Sequence, residues 1–145
     1  MAGLYGVVDR RLDSREAIEA VAGRDRGAIA TFIGTTRDHH GGRPVRSLEY
    51  HAYLEMAEKV LRDIGREVEA MFGTPHVAIL HRVGRLDVGE ASVIIAVAAA
   101  HRREALAACA HAIERVKESA PIWKKEHYAD GAAWIEGSRS APADS

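Results

Sequence analysis

The stretch "HVAILHRVGRLDVGEASVIIAVAAA", residues 76–100, decides the fold. It contains two apolar, β-branched runs, 76–83 and 91–100, which both predict strands. The seven residues between them, 84–90, are too few for a helical crossover, so the two strands are expected to pair antiparallel. The second run is apolar on both faces and therefore predicts a strand at the centre of a sheet.

The flanking segments predict helices and further strands. Upstream we expect a short strand at 4–9 and a short helix that begins at Asp13 or Ser14 and ends at Gly23. A buried strand at 28–33 follows, and a glycine-rich loop at 34–45 is expected to connect it in a hairpin to a strand at 46–53. Residues 54–72 predict an amphipathic helix. Downstream we expect a second long helix from His101 to about Ser119 and a hairpin of 122–128 with 132–137. Strands with antiparallel connections and two long helices predict an α+β fold. We expect one domain over residues 1–137 and a flexible tail at 138–145.

Composition narrows the class of protein. The chain has 145 residues, 47% of them hydrophobic and 28% charged, with a formal net charge of -1. This balance is typical of a soluble globular domain, and the near-zero charge argues against general nucleic-acid binding. The sequence has neither an apolar run long enough to cross a bilayer nor the order of a signal peptide, so a cytoplasmic protein is expected.

The single cysteine and the histidines give little support for redox or metal chemistry. Cys109 continues the apolar series Ala105, Cys109, Ala112 and Val116, so we interpret it as a small buried hydrophobe, with a reactive thiol as the alternative. The histidines near the glycine-rich loop, His39, His40 and His51, lack the spacing of metal ligands. Phosphate-loop, dinucleotide-binding and serine-nucleophile motifs are also missing from the sequence.

Cations at the start of the second long helix suggest an anion site. The junction "AAAHRREA", residues 98–105, places His101, Arg102 and Arg103 where the helix dipole favours acidic side chains. A bound anion would offset that cost, because the free N–H groups of a helix start also attract anions. The alternative is that both arginines extend into water and Glu104 compensates their charge.

Lys117 lies near the other end of the same helix. A lysine there suits the negative end of the dipole and needs no further role. At about 100° per residue it lies about 40° beyond Ile113, at the border of the apolar stripe, where it could line a cleft. If Lys124 and Arg37 approach it, repulsion and desolvation would lower its pKa and favour a neutral amine that acts as base or nucleophile.

Five segments together resemble a known family. "TFIGTTRDHH", "LEYHAYLEMAEKVL", "HRVGRLDVGE", "AAAHRREA" and "KESAPIWKKE" occur in the order found in the catalytic large subunit of molybdopterin synthase. The resemblance covers roughly residues 28–137. It implies an α/β hammerhead-type fold, mainly antiparallel, with two long helices and a small β-subdomain.

The resemblance also implies an activity and its partners. A homodimer would bind two small ubiquitin-like sulfur-carrier subunits, forming a heterotetramer. The carrier's C-terminal glycine thiocarboxylate would supply two sulfurs in turn to cyclic pyranopterin monophosphate, giving the dithiolene of molybdopterin. No metal or other cofactor is implied. Since Cys109 is expected to be buried, the sulfur would have to arrive on the partner.

The family's site residues carry over by motif position. Lys117 and Lys124 resemble the catalytic lysines, and Lys117 would lie near the carrier's terminal glycine. The implied substrate-binding set comprises Thr35, Thr36, Arg37, His101, Arg102, Lys117, Lys124, Lys125 and Glu126. Two other classes remain open: a non-catalytic phosphate- or nucleotide-binding module that uses the same cations, and a metal hydrolase that uses the histidine-rich loop.

Overall fold

The computed structural model describes residues 3–128, 131–136 and 139–140, which form three helices and two β-sheets. The helices are α1 (Ser14–Val21), α2 (Leu54–Phe72) and α3 (Arg102–Ser119). The strands are β1 (Gly3–Val8), β2 (Ala28–Thr35), β3 (His39–His40), β4 (Arg43–Ala52), β5 (Val77–Arg82), β6 (Gly84–Asp87), β7 (Ala91–Ala99), β8 (Ile122–Tyr128), β9 (Gly131–Glu136) and β10 (Arg139–Ser140). This arrangement confirms the α+β class. The predicted tail at 138–145 lies outside the described residues except for the two residues of β10.

The first sheet has the strand order β1-β5-β7-β2. β5 and β7 pair antiparallel and β7 lies between β5 and β2, which confirms both predictions from residues 76–100. Val93, Ile95 and Val97 of β7 pack in the cluster that includes α2 and α3. Ile94 and Ala96 pack in the cluster that includes α1 on the other face. Strand β7 is apolar on both faces because helices cover the sheet on both sides.

The helix α2 follows the predicted bounds and packs one face against the core. Ala57, Leu61, Ile64 and Val68 are buried, as the helical spacing predicts. The same spacing predicts that Met71 is buried, but it is exposed. Gly73 ends the helix with a left-handed φ of 73°. Within the described residues, no helix has the length and hydropathy to cross a membrane.

The second sheet has the order β10-β9-β8-β4-β3, and β6 also joins β4. The β8–β9 hairpin is confirmed. The predicted hairpin between the strand at 28–33 and residues 46–53 is wrong, because β2 pairs with β7 in the first sheet. The start of β4 instead forms a short hairpin with β3 inside the glycine-rich loop. β6 lies inside the stretch that the sequence assigned to a turn and pairs with β4. This extra pairing connects the β5–β7 turn to the second sheet.

Candidate active site

A cavity of about 350 Å³ lies between the two sheets and the C-terminal end of α3. Residues of β2, β3, β4, β7, β8 and α3 line it, together with Arg37 of the loop after β2. The basic residues in its wall are Arg37, His39, Lys117 and Lys124, and Glu126 adds a carboxylate. The described lining is therefore net positive, as a site for anionic substrates requires.

Strand alternation explains which residues of β8 face the cavity. Side chains of a strand point to opposite faces in turn, so Lys124 and Glu126 share one face and Lys125 lies on the other. Lys125 is opposite Glu49 of β4 in the sheet register and is not part of the cavity wall. Lys117 reaches the same cavity from the last turn of α3.

Both cavity lysines have a pKa below the ordinary lysine value. Burial lowers the pKa of Lys117, and the charge of Lys124 lowers it further. Burial also lowers the pKa of Lys124; Glu126 acts in the opposite direction, and Arg37 adds to the lowering. Desolvation and like charges thus make a neutral amine more accessible here than at the protein surface. The approach of the three cations proposed from the sequence is present in the fold.

Hydrogen bonds hold Glu126 in place. The residue is 4% exposed, and its Oε1 accepts a hydrogen bond of 2.7 Å from the Tyr128 hydroxyl and contacts His40 Nδ1. Arg43 stacks on the Tyr128 ring at 3.7 Å. Burial acts to raise the pKa of Glu126, but Tyr128, His40 and Lys124 outweigh it, and the pKa lies below the ordinary glutamate value. Glu126 therefore remains a carboxylate beside Lys124.

Tyr128→Phe is expected to destabilise the protein by about 1–2 kcal/mol at neutral pH, because it removes a hydrogen bond to a buried charged group. The pKa of Glu126 lies below its unfolded value, so this stabilisation is fully present above the unfolded pKa. It is lost as the pH falls through the folded pKa of Glu126. Denaturant unfolding at neutral and acidic pH measures both the loss and its pH dependence.

Tyr53→Phe is the matched control for this measurement. Tyr53 is exposed, and its ring makes an edge contact with Trp123 that phenylalanine preserves. Its free energy of unfolding should stay within about 0.5 kcal/mol of the wild-type value. Equal losses in the two variants would show that the Tyr128 hydroxyl contributes nothing through Glu126.

The structure separates the predicted site residues into groups. Thr35, Arg37, Lys117, Lys124 and Glu126 line the 350 Å³ cavity. Thr36 is buried beside it, and its Oγ1 donates to the Glu90 carbonyl at 3.2 Å, so its side chain supports the loop.

His101 and Arg102 line a different cavity, of about 790 Å³, together with residues at the start of β2 and α3. The expectation that they join Arg37, Lys117 and Lys124 is wrong within a single chain. Arg102 and Lys117 are the first turn and last turn of one helix, about 22 Å apart at 1.5 Å per residue. β2 likewise has Ala28 at one cavity and Thr35 at the other, about 23 Å apart. In the part of the chain that the structure describes, basic residues therefore line a cavity at each end of the first sheet.

Sequence analysis missed several residues of the cavity wall. Tyr50, Leu48 and Ser92 line it. The available signal was the alternation of residues 46–53, which puts Leu48 and Tyr50 on one face of the strand. His40, considered only as a metal ligand, instead contacts Glu126. The other two histidines of that group also contact carboxylates: His39 contacts Asp38 and His51 contacts Glu49.

Fold and cavity together define an α+β protein with a partly desolvated anion pocket that presents two amines of lowered pKa. Such a pocket suits group transfer between anionic reactants.

Comparison with known proteins assigns the family. The family model described as "MoaE protein" matches residues 7–119. The molybdopterin synthase catalytic subunit of Bacillus subtilis (strain 168) is 47% identical over 131 residues, which cover 90% of this chain and 83% of that protein. The molybdopterin synthase catalytic subunit of Halalkalibacterium halodurans is 42% identical over 131 residues, which cover 90% of this chain and 84% of that protein. The crystal structure of molybdopterin synthase from Staphylococcus aureus superposes with a TM-score of 0.85 at 38% identity, over 90% of this chain and 95% of that one. The chain belongs to the MoaE protein family, which confirms the resemblance.

Proposed function

We propose that this chain is the catalytic subunit of a molybdopterin synthase. It transfers sulfur from the C-terminal thiocarboxylate of a small ubiquitin-like carrier to cyclic pyranopterin monophosphate, forming the dithiolene. The observation that carries the proposal is the cavity in which Arg37, Lys117 and Lys124 meet. Membership of the MoaE protein family supports it. We place the reaction in the cytoplasm.

The lining of the cavity suits two anionic reactants. A cyclic phosphate and a thiocarboxylate repel each other unless cations lie between them. The planar guanidinium of Arg37 matches phosphate oxygens in a two-pronged contact, and a lysine provides a compact charge at the reacting carbon. The same charges stabilise the oxyanion that develops during acyl transfer and the carboxylate that leaves. Glu126 limits the net charge, so that Lys124 can remain close to Arg37.

The sulfur is proposed to come from a partner because the chain's own thiol is inaccessible. Cys109 is buried, and burial raises its pKa to about 11, so very little thiolate forms near neutral pH. One solved structure of similar fold is described as the protein–protein complex of subunits 1 and 2 of molybdopterin-converting factor from Helicobacter pylori 26695. It is 19% identical to this chain, so the likeness shows the fold alone. Carrier binding here is a proposal that reconstitution tests.

A second copy of the chain is proposed to supply His101 and Arg102. β2 is at the edge of its sheet among the described residues, with Ile29 and Ile33 exposed by 41% and 44%. Leu106, exposed by 61%, lies near the start of α3. Exposed apolar side chains on an open edge strand favour burial against another chain. In a two-fold dimer formed along β2, the start of β2 in one copy lies beside the end of β2 in the other copy, and the reverse holds as well. His101 and Arg102 of each copy would then complete the cavity of the other.

Reconstitution tests the function directly. The protein is mixed with cyclic pyranopterin monophosphate and a carrier that ends in a glycine thiocarboxylate, and dithiolene is measured. We expect turnover with the thiocarboxylated carrier and none with the same carrier ending in a carboxylate. Cys109→Ala should retain wild-type turnover, with a loss of about 1 kcal/mol or less in stability because the change removes only a small buried group.

Two outcomes would contradict the proposal. If calorimetry showed binding of phosphate compounds, but neither carrier binding nor dithiolene appeared, the chain would be a phosphate-binding module. If Cys109→Ala folded normally and lost sulfur transfer, the thiol would be part of the chemistry.

A further inference from the structure

His81 is a buried imidazole that lies next to the cavity but has no assigned role. It belongs to β5 and is 3% exposed. Its Nδ1 lies 2.9 Å from the backbone carbonyl of Arg82. A carbonyl oxygen only accepts hydrogen bonds, so the proton is on Nδ1, and Nε2 has a free lone pair. Burial lowers the pKa of His81 to about 4, so the ring is neutral near physiological pH.

His81 and Lys117 both line one small cavity. Its volume is about 20 Å³, enough for a single water molecule. The residues that line it are Tyr50, His81, Val116, Lys117, Ala120 and Ile122. Tyr50 and Lys117 also line the 350 Å³ cavity, so the Lys117 side chain lies between the two spaces. The Tyr50 ring meets the imidazole edge-on, with centroids 5.0 Å apart, and thereby limits its rotation.

We propose that His81 is a positioning residue for Lys117, whose side-chain nitrogen donates a hydrogen bond to Nε2 of His81 through one water in the small cavity. The catalytic meaning of this link rests on the proposed function, whereas the link itself does not. The water and the imidazole fix the position of the Lys117 nitrogen. The other hydrogen-bonding directions of that nitrogen then point into the larger cavity. Positioning of this kind matters because small displacements of a reacting group cost much of its rate.

A neutral acceptor fits this place better than a charged one. A carboxylate would stabilise the ammonium form strongly, and a cation would repel it. From β8, Lys124 repels Lys117 and Glu126 compensates Lys124; Arg37 repels Lys124 from the loop after β2. Neutral His81 gives Lys117 a hydrogen-bond acceptor and adds neither a positive nor a negative charge to the site.

Helix α2 also packs on α3, as do β2 and β7, and the acidic group of α2 there is already engaged. Glu67 of α2 accepts hydrogen bonds from His111 and Arg115 of α3. Tyr50 of β4, the remaining titratable group in the small cavity, has its pKa raised mainly by burial, and a hydrogen bond with the Ser92 side chain already engages its hydroxyl. The acceptor for Lys117 on this side is therefore assigned to His81.

The test compares His81→Gln with His81→Leu. The two side chains are similar in size and both lose the bond to the Arg82 carbonyl, but glutamine places an amide oxygen near the position of Nε2 and leucine places none. In reconstitution, His81→Leu is expected to lower kcat about tenfold or more with the KM for the carrier unchanged, and His81→Gln to recover most of it. Equal kcat in the two variants would overturn the proposal.

A second readout does not depend on activity. Lysine side chains are labelled with ¹³C-methyl groups in the full chain, and the resonance of Lys117 is titrated by NMR. His81→Leu should lower the pKa of Lys117 further, since the ammonium loses an acceptor, and His81→Gln should keep it near the wild-type value. An unchanged pKa in His81→Leu would contradict the link even if the proposed function failed.

The tautomer of His81 can be checked in the wild-type protein, which keeps the proposal testable if neither variant folds. In ¹⁵N spectra of histidine-labelled protein, the proton should be on Nδ1 across the neutral range. A proton on Nε2 would remove the acceptor and overturn the proposal.

Discussion

Lys117→Ala and Lys124→Ala are each expected to leave a folded protein that forms dithiolene at least about 100-fold more slowly. Both amines line the same cavity, and burial disfavours their charged form. Lys117→Ala removes a cation that Lys124 repels, so its stability should not fall. Lys124→Ala also removes the cation beside the buried Glu126 carboxylate, so it is expected to be slightly less stable but still folded. The measurements are turnover with thiocarboxylated carrier and the midpoint of thermal unfolding.

Lys117→Arg separates two explanations of that loss. Arginine keeps the positive charge but cannot lose its proton in a protein. If Lys117 acts as a neutral amine, which its lowered pKa favours, arginine restores little activity. If Lys117 only holds an anion, arginine should restore a large part of it. The first outcome is expected.

Lys59→Ala is the matched control. Lys59 is an exposed lysine of α2 that pairs with Asp63 at 3.0 Å, and such a surface pair contributes about 0.3–0.5 kcal/mol. Its turnover should equal that of the wild type. Full activity in Lys117→Ala or Lys124→Ala would remove the basis of the proposed mechanism.

Local pattern was sufficient for the elements with a regular period. The antiparallel pairing of β5 and β7 follows from a turn too short for a crossover, and α2 follows from its apolar spacing. Pairing between distant strands has no local signal. The parallel pair of β1 and β5 is one case, and the contact of β6 with β4 is another. The four residues of β6 lie in a turn and become a strand only because they pair with β4 of the other sheet. Local strand propensity alone therefore does not predict β6.

The candidate site was predictable in part. The border position of Lys117 indicated a cleft that Lys124 and Arg37 could approach, and the fold has one. The error concerned His101 and Arg102, although the sequence contained the correction. A continuous helix from 102 to 119 holds Arg102 and Lys117 about 22 Å apart, too far for one pocket. The Glu126 contact of His40 had no such signal, because it depends on the register of two strands distant in sequence.

Mixing two inactive variants is expected to restore activity if a second copy completes each cavity. Lys117→Ala lacks the amine but keeps Arg102, and Arg102→Ala lacks the guanidinium but keeps the amine. In a mixed dimer, the cavity of the Arg102→Ala chain has its own Lys117 and receives Arg102 from the other copy. The second cavity lacks both groups. Each mixed dimer therefore has one complete site.

The size of the effect follows from counting sites. Random exchange of equal amounts gives mixed dimers in half of the population, so about one quarter of wild-type activity should appear in a two-fold symmetric assembly. If Arg102 served the cavity of its own chain, neither site of the mixed dimer would be complete and activity would stay at the level of the separate variants. Exchange is verified with one variant carrying a mass tag. Mixed dimers without activity would contradict the shared cavity and leave Arg102, about 22 Å from Lys117 along α3, without access to the reaction.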